Sequence, residues 1–496
     1  MTTTDTTYLA LFFGLLLILI LAAELLRRRL HGSQEFSRKF VHMLTGILVA
    51  IVPFFVHSPW PLLVIAAGFV VFNYMAIKRG WLQAMHDLQR QTYGTVFYPL
   101  AFAILVLLLW QSHLPVLITA MLLLAIADAL AAIVGENISH PRLYHFGQDK
   151  KSLQGTLTMF AASALIVLVA LHLSRGDLTS WQMVWYALLV AFFATACEAV
   201  SFQGSDNLTV PLGAALVLHY VWTHPPQDVA IFTMGMGLAL LVAGLSWRLH
   251  FLDAGGAVGT FLLGTMVFGI GRWTFSMPIL TFFVLSSLLS KVGRNRKKRL
   301  AGMIEKGGAR DVWQVIANGG VAGLILILWY IDPAPLWYLL FAGSLAAVTA
   351  DTWGTEIGTL SRHAPVSVIT FKHVPAGTSG GITLLGTLGG ALGSLVLAGV
   401  SWCFTPQTSP PFFGWREFII VICAGVIASL FDSILGATLQ AKFKCPACAK
   451  ITEKKRHCQN RKTQFVSGIA WMNNDMVNIL AAVAGAVLVL LMIRIF

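Results

Sequence analysis

Apolar runs long enough to cross a bilayer recur along the whole of this chain. A transmembrane helix needs about 20 predominantly apolar residues, and about sixteen runs of roughly 17 to 25 residues meet that length. Of the 496 residues, 57% are hydrophobic and 11% are charged, and the mean hydropathy is +0.76. We therefore predict an all-α polytopic membrane protein with about sixteen transmembrane helices in two bundles.

The predicted spans can be placed by the limits of their apolar cores. These cores are 8–26, 40–57, 60–77, 94–111, 114–134, 156–173, 181–200, 208–222, 229–247, 256–271, 274–290, 312–331, 335–350, 381–402, 416–436 and 475–494. The runs 208–222 and 335–350 are short enough for half-spans or re-entrant segments. The first run is preceded by MTTTDTTY, without a cation, and followed by Arg27, Arg28 and Arg29. This flank predicts an uncleaved helix rather than a signal peptide.

Lysine and arginine are unevenly distributed between the predicted loops. When sixteen spans are threaded from an outside amino terminus, 30 of the 34 lysines and arginines fall in segments predicted to be cytoplasmic. Because positive loops stay in the cytoplasm during insertion, both termini are predicted to lie outside. The net charge of +13 is then explained by anchoring beside anionic lipid, and no nucleic-acid partner is needed.

Polar residues within or beside the spans are the informative ones, because an ionisable group there is costly unless it faces a cavity or a partner. In the first half, nearly all lie at predicted cytoplasmic ends. They are Arg38 and His42 in SRKFVHMLTG, Asp128 in IADALAAIVGE, the loop FGQDKKSLQGT, and Glu198, Asp206 and Asn207 in EAVSFQGSDNLTVP. This distribution predicts a polar chamber that is open to a cytoplasmic nucleotide.

Phosphoryl transfer needs a divalent metal on carboxylates, and cations or backbone amides on the phosphates. Asp128, Asp206 and Glu198 are suited to the metal. The loop residues suited to the phosphates are Lys150, Lys151, Ser152, Gly155 and Thr156, since a helix that begins there directs its positive end at an anion. Plainer alternatives are a helix cap for KSLQGT, a turn for Asp206 and Asn207, and a bond from His42 to a neighbouring helix.

The ordered strings SRKFVHMLTG, DALAAIVG, KSLQGT and SDNLTVP, over about residues 30 to 222, resemble the CTP-dependent polyprenol kinases. That family contains dolichol kinase and plant phytol kinase and is distantly related to phosphatidate cytidylyltransferase. The resemblance implies that residues 1–225 phosphorylate a membrane isoprenoid alcohol with CTP and Mg²⁺. It also implies nucleotide-binding roles for Arg38, His42 and Asn207. Gln154 departs from the family, which more often has glutamate there.

The second half, residues 226–496, carries its own set of acids and glycine-rich loops. Its candidates are Asp351 and Glu356 in ADTWGTEIG, Lys372, Gly377, Thr378 and Gly380 in FKHVPAGTSGG, Asp432 in DSILGATLQ, and Asp475 in NDMVN. These motifs resemble the membrane family that contains plant phytyl-phosphate kinase. The resemblance implies a second CTP-dependent step, from isoprenyl monophosphate to diphosphate, with the four acids on Mg²⁺ and Lys372 in the catalytic set.

Two intervals support a shared architecture of the halves. Gly135 follows Asp128 by seven residues, as Gly358 follows Asp351. KSLQGT then follows the first aspartate and KHVPAGT the second, with 27 residues from Asp128 to Gly155 and 26 from Asp351 to Gly377. Chance agreement of two loose patterns is the alternative.

The segment CPACAKITEKKRHC carries four residues that commonly bind zinc, namely Cys445, Cys448, His457 and Cys458. The C-x2-C spacing favours a structural zinc site. The short interval to His457 and its adjacency to Cys458 favour unliganded thiols instead. Redox pairing is a third interpretation, and the predicted cytoplasmic position disfavours a disulfide.

Three functions are compatible with these patterns. The first is a fused kinase that converts an isoprenoid alcohol to the monophosphate and then the diphosphate, with Asp128 or Asp206 as a candidate base. The second is a cytidylyltransferase that joins CTP to a lipid phosphate and releases pyrophosphate. The third is a lipid or ion transporter, which predicts acids at all membrane depths. Asp177, Asp228 and Asp332 lie at predicted external edges, without an acidic trail between the faces.

Overall fold

A computed structural model describes residues 7–15, 18, 34–79, 92–110, 112–146, 149–293, 308–405, 412–458 and 461–495. Most of these residues are helical. The chain divides into two compact units, Met1–Ala230 and Ile231–Phe496, whereas the sequence division was placed at 225/226. Most of the first predicted span and much of the basic segment around residue 300 lie outside the described residues.

The first unit is a helical bundle with one short hairpin between two long helices. After residues 7–15, which are helical, its elements are α1 (Gln34–Ile51), α2 (Pro59–Arg79), α3 (Gly94–Leu109), α4 (Leu114–Asn137), β1 (Leu143–Phe146), β2 (Asp149–Ser152), α5 (Leu153–Ser174), α6 (Ser180–Val200) and α7 (Asp206–Thr223). Within α4, Leu123–Asp128 form a π-helical turn. Such turns are rare and are often found at functional sites.

The division between the units falls inside α8 (Pro226–Arg248). The second unit then contains α9 (Ala254–Ile270, ending in a π-helical turn), α10 (Arg272–Lys291), α11 (Val312–Ile331), α12 (Pro335–Gly358), β3 (Val366–Ser367), β4 (Gly381–Ile382), α13 (Leu384–Cys403), α14 (Trp415–Thr438), β5 (Lys442–Lys444), β6 (Ile451–Thr452), β7 (Arg456–His457), β8 (Arg461–Lys462), β9 (Gln464–Ser467) and α15 (Asn474–Ile495). Strands β3 and β4 pair antiparallel, as do β7 and β8, and β5 lies between β6 and β9.

Ten helices among the described residues are long and apolar enough to cross a membrane. They are α2, α4, α5, α6, α8, α10, α11, α13, α14 and α15. Helices α1, α3 and α9 contain shorter apolar stretches. The protein is therefore a multi-pass membrane protein, and the total of sixteen spans and the sides of the termini stay predictions.

Helix α12 is longer than the apolar run 335–350 from which a half-span or re-entrant segment is predicted. It continues to Gly358 and has 24 residues, a length of about 36 Å, which is enough for a bilayer. Ala342, Ala346 and Ala350 on α12 are fully buried, and α12 packs against α13, α14 and α15. Small side chains permit such close helix packing inside a membrane, so α12 is the central helix of this unit.

Candidate active sites

In the first unit, a buried lysine lies among three acids. The Nζ atom of Lys151 donates to Oε1 of Glu198 at 2.5 Å and also to the Glu198 main-chain carbonyl. Burial alone would lower the pKa of Lys151, but Glu198, Asp206 and Asp128 together raise this pKa above its ordinary value. Lys151 is therefore a charged group at neutral pH, and it marks the point where the three acids converge.

Three different helices supply these acids. Asp128 ends the π-helical turn of α4, Glu198 lies two residues before the end of α6, and Asp206 is the first residue of α7. An acid at a helix amino terminus is stabilised by the helix dipole. Lys151 reaches them from β2, in which side chains alternate between the two faces. Its neighbour Lys150 is exposed and is thus separated from the cluster.

The carboxylate of Glu198 has unused binding capacity. Glu198 is 9% exposed, and its Oε2 atom is buried without a hydrogen bond to any residue that the structure describes. Buried carboxylate oxygens normally have a partner, and each exception needs an explanation. A bound cation beside Asp128 and Asp206 would provide that partner.

The amino-terminal motif SRKFVHMLTG contributes a second buried cation to this region. Lys39 on α1 forms an ion pair with Glu136 at the end of α4 and lies within electrostatic range of Asp128. The ring of His42 contacts the ring of Tyr98 edge-on, with centroids 5.3 Å apart. The side chain of Arg38 lies outside what the structure describes.

The KSLQGT segment has a capping and packing role in this structure. Ser152 is the N-cap of α5, and its Oγ accepts a hydrogen bond from the Gly155 amide at 3.1 Å. A Cβ atom on Gly155 would lie 2.8 Å from the carbonyl oxygen of Ala131. The Gly155 amide predicted to bind phosphate is thus already engaged, and the residue has no side chain because α4 and α5 cross there.

The remaining polar residues of this segment fasten the hairpin to α5. Oγ1 of Thr156 lies 2.6 Å from the Tyr144 hydroxyl, and Oε1 of Gln154 accepts from the Arg142 amide at 3.1 Å. A glutamate at position 154 would offer the same acceptor. Gln154 and the glutamate that is more common in the family can therefore make the same contact. Residue 154 is not part of the acid cluster, so the glutamine removes no carboxylate from that cluster.

The second unit brings two acids into direct contact. The carboxyl groups of Asp351 on α12 and Asp432 on α14 lie close enough to interact directly with each other. Two carboxylates at this separation repel unless a proton or a cation lies between them. Oδ2 of Asp432 is buried without a hydrogen bond to any described residue. This arrangement resembles that of Glu198 in the first unit.

A third acid, Glu453, approaches this pair from the cysteine-containing segment. It lies within electrostatic range of Asp432, and the Ser379 hydroxyl donates to its Oε1 atom at 2.6 Å. Neither Ser379 nor Glu453 was among the residues chosen from the sequence. Glu453 lies in the basic run TEKKRHC, a pattern that is typical of a solvated loop and does not indicate a site residue.

The predicted glutamate on α12 faces a different partner. Burial lowers the pKa of the Arg310 guanidinium, and Glu356 counteracts this effect. Arg310 also lines an apolar cavity together with Leu263, Phe268 and Phe282. A cation beside an apolar wall suits a ligand with one anionic end and a hydrocarbon chain.

The glycine-rich loop FKHVPAGTSGG is positioned by turns and by contact with α14. Gly377 and Gly380 have φ values of +86° and +79°, which favour glycine. A Cβ atom on Gly380 would lie 2.7 Å from the carbonyl oxygen of Ser433. The side chains of Lys372 and Thr378 are exposed, so the loop meets the acids through Ser379 rather than through Lys372.

The structural counterpart of Gly155 is Gly386 and not Gly377. Thr383 caps α13 by accepting from the Gly386 amide at 3.0 Å, and a Cβ atom on Gly386 would lie 2.7 Å from the Gly354 carbonyl oxygen. Gly354 follows Asp351 by three residues, as Ala131 follows Asp128. The sequence contains the matching strings SLQGT at 152–156 and TLLGT at 383–387, and this match replaces the pairing of KSLQGT with KHVPAGT.

The acids follow the same correspondence. In each unit one acid lies on the long helix before the capped helix, the next on the helix after it, and the last in the first turn of the final helix. The two sets are Asp128, Glu198 and Asp206, and Asp351, Asp432 and Asp475. The units differ at the residue directly before the N-cap, which is Lys151 in the first unit and Ile382 in the second.

The four candidate zinc ligands also converge. One ligand atom from each of Cys445, Cys448, His457 and Cys458 lies within 4.8 Å of all the others. Burial would raise the pKa of the Cys445 thiol, but the backbone amide of Cys448, with help from His457 and the Ala447 amide, lowers it to about 6. All four residues lie outside the membrane-spanning helices.

The chain resembles a described membrane family and several known proteins. Residues 237–486 match the family described as Integral membrane protein DUF92. Protein PGR of Arabidopsis thaliana is 31% identical over 273 residues, which cover 51% of this chain and 92% of that protein. Protein VTE6, chloroplastic, from the same plant is 30% identical over 272 residues, covering 54% of this chain and 70% of that protein.

A third relative has an enzyme activity in its name. The protein named phytol kinase from Synechocystis sp. is 36% identical over 210 residues, covering 41% of this chain and 88% of that protein. No solved structure matches the chain. The relatives thus connect this chain with membrane proteins of which one is named a kinase of an isoprenoid alcohol.

Proposed function

The chain belongs to the DUF92 family of integral membrane proteins, and on this premise we propose that it is a membrane isoprenoid kinase with two sites. The first unit would phosphorylate an isoprenoid alcohol such as phytol or geranylgeraniol, and the second would convert the monophosphate to the diphosphate. CTP is the proposed phosphate donor at both sites. The similarity to a phytol kinase supports an alcohol as the first substrate.

The observation that carries this proposal is the repeated arrangement of acids around a capped helix start. In the first unit Asp128, Glu198 and Asp206 from three helices surround Lys151, and in the second unit Asp351 and Asp432 from two helices interact directly. Phosphoryl transfer depends mainly on positioning and on charge stabilisation, and this arrangement provides sites for positive charge in a largely apolar bundle. A transporter would need acids along a path through the membrane, whereas these acids form two clusters.

The acids of the first unit fit Mg²⁺, which prefers one or two carboxylates together with substrate phosphates. Asp128, Asp206 and the unpartnered oxygen of Glu198 would hold the ion. Bound Mg²⁺ would supply positive charge to the phosphate oxygens. Lys151, which stays protonated beside Glu198, would orient that carboxylate and contribute its own charge to the site.

In the second unit, Asp351 and Asp432 with Asp475 would hold the corresponding ion. Ile382 replaces the lysine there, so a different cation must meet the phosphate of the substrate. We assign this role to Arg310, because it lies beside Glu356 and lines the apolar cavity. The isoprenyl chain would lie against the cavity wall, with its phosphate at the guanidinium.

We propose that both sites face the cytoplasm, where CTP is available. The distribution of lysine and arginine supports this orientation. The fusion of two sites in one chain would keep an amphiphilic monophosphate in the same stretch of membrane as the second site.

The proposal is tested with purified chain in lipid, MgCl₂, and phytol, geranylgeraniol or their monophosphates. CTP labelled at the γ-phosphate should label the lipid product. Asp128→Asn should abolish phosphorylation of the alcohol only, and Asp351→Asn that of the monophosphate only. Asp332→Asn, at an exposed position between α11 and α12, is the control and should retain both activities.

Two outcomes would contradict the proposal. Transfer of label from the α-phosphate of CTP to lipid, with release of pyrophosphate, would identify a cytidylyltransferase. Loss of both steps in each single variant would refute two independent sites. Absence of any lipid product with all four substrates would exclude the isoprenoid kinase.

A further inference from the structure

The cluster of Cys445, Cys448, His457 and Cys458 has the dimensions of a tetrahedral metal site. Zinc bonds of about 2.3 Å to sulfur and about 2.0 to 2.1 Å to nitrogen place ligand atoms about 3.6 to 3.8 Å apart in a tetrahedron. Nδ1 of His457 lies 3.5 Å from Sγ of Cys448 and 3.2 Å from Sγ of Cys458. The same ring nitrogen therefore faces two of the three sulfurs.

The backbone is bent to bring these side chains together. Cys458 has a φ of +37°, a left-handed conformation that is unusual for a residue other than glycine. This bend lets the adjacent His457 and Cys458 face one centre, which an extended strand would not permit because its side chains alternate. Ala449, directly after Cys448, also has a positive φ, of +57°.

The segment around Cys445 is held as metal-binding turns commonly are. The Cys445 side chain is fully buried, and the Ala449 amide donates to the Cys445 carbonyl at 2.9 Å. The Cys445 amide donates to the Lys450 carbonyl at 3.0 Å. Cys445 and Cys448 lie between the paired strands β5 and β6, and Cys458 lies between the paired strands β7 and β8.

We propose that this segment binds one Zn²⁺ through three thiolates and the His457 imidazole, and that the ion holds Glu453 at the acids of the second unit. Thiolate and imidazole ligands suit zinc. Four protein ligands leave no open position, so the role of the ion is structural. This site lies outside the proposed phosphoryl-transfer machinery.

The link to Glu453 follows from the path of the chain. Glu453 lies in the loop whose two ends, Cys448 and His457, bind the same ion. Within this loop the Thr452 side chain is buried and accepts from the Lys454 amide at 3.2 Å. Glu453 then accepts from Ser379 and lies near Asp432. Closure of the loop by zinc would restrict Glu453 to this position, and this part rests on the proposed second site.

The zinc assignment is tested by metal analysis of the full-length protein, purified in detergent with a tag that lacks histidine. Mass spectrometry of metals should find one zinc per chain. The double change Cys445→Ser with Cys448→Ser should remove it, whereas Cys403→Ser and Cys423→Ser on the spanning helices should retain it. A wild-type chain that contains no zinc and retains none after incubation with ZnCl₂ and desalting would overturn the assignment, as would a disulfide among these cysteines.

Trypsin provides a readout of the loop that is independent of activity. Lys454, Lys455 and Arg456 lie between the ligands, so the zinc-loaded protein should resist cleavage there and become sensitive after chelation. The carboxy-terminal fragment identifies these cuts against cleavage elsewhere. Equal cleavage of the loop with and without zinc would refute a structural ion.

The role of Glu453 is tested separately. Glu453→Gln should keep one zinc per chain and lower phosphorylation of the isoprenyl monophosphate by about 10- to 100-fold, the range found for supporting residues around metal sites. Phosphorylation of the alcohol should be unchanged. Unaltered activity on the monophosphate would refute the positioning of Glu453, and absence of kinase activity in the wild type would refute the proposed function while the zinc result stands.

Discussion

At the scale of single residues, the first unit shows one cation placed among several acids in an apolar bundle. Lys151 is paired with Glu198 and influenced by Asp206 and Asp128. Its side chain is only 15% exposed, so neither partner can recover its interaction with water if the other is removed. An ionised carboxylate left alone in such surroundings is strongly unfavourable.

We expect Lys151→Met to lower the free energy of unfolding by about 3 to 5 kcal/mol, the usual effect of breaking a buried ion pair. Thermal unfolding in detergent measures this change. Because the folded-state pKa of Lys151 is raised, the stabilisation is present at neutral pH and is lost only as the pH rises through that raised value. The exposed Lys150→Met is the control and should be close to neutral.

A double variant distinguishes the effect of Lys151 on protein stability from its effect on phosphorylation of the alcohol. Lys151→Met combined with Glu198→Gln removes both charges and should recover much of the lost stability. It should not recover phosphorylation of the alcohol, because the charge-binding groups are gone. Recovery of full activity in the double variant would contradict the proposed role of the pair.

At the scale of elements, both units contain the same kind of helix crossing. A helix that carries an aspartate crosses the start of the next helix at a glycine, and a serine or threonine side chain caps that start. In the first unit the glycine is Gly155 and the cap is Ser152, and in the second they are Gly386 and Thr383. The close crossing brings the cap next to the acid-bearing helix.

We expect Gly155→Ala and Gly386→Ala each to destabilise the protein by about 1 to 3 kcal/mol, since the added carbon would overlap a main-chain carbonyl oxygen that cannot move freely. Gly237→Ala on α8 is the control, because a Cβ atom there would have nothing within 4 Å. Its expected effect is a stabilisation of about 0.5 to 1 kcal/mol from helix propensity. If Gly237→Ala lowers the melting temperature as much as Gly155→Ala and Gly386→Ala do, the close crossing is disproved.

At the scale of the whole molecule, the chain consists of two units with matching strings and matching acids. The cytoplasmic orientation of both follows from the distribution of basic residues and stays a prediction. Asp332 and Lys372 lie on either side of α12 in the chain, and both are exposed. Because we predict that α12 crosses the membrane, we expect these two residues to lie on opposite sides of it.

We expect Lys372→Cys to react with a membrane-impermeant maleimide in inverted vesicles, and Asp332→Cys to react in intact cells. The parent chain, labelled in parallel, corrects for its own six cysteines. Reaction of both positions from the same side would reverse or break the predicted topology around α12.

Much of the fold was accessible to sequence reasoning, and the site was accessible in part. Asp128, Asp206, Asp351 and Asp432 were selected because an acid near a span needs a reason to be there. Lys372 and Gly377 follow from the motif FKHVPAGTSGG, and their spacing from Asp351 pairs Gly377 with Gly155, whereas the structure gives Gly386 that place. Glu453 was passed over, because nothing local distinguishes it from a solvated loop residue.

The sequence by itself determined that the chain forms many long apolar helices and where lysine and arginine lie along it, because apolar length and local charge act on each segment separately. Only the tertiary structure decided which polar groups meet. Lys151 and Glu198 are 47 residues apart and Ser379 and Glu453 are 74 residues apart, and Asp351 meets Asp432 across two helices. Such partners depend on how helices cross, and a crossing depends on the shapes of both surfaces rather than on either segment alone.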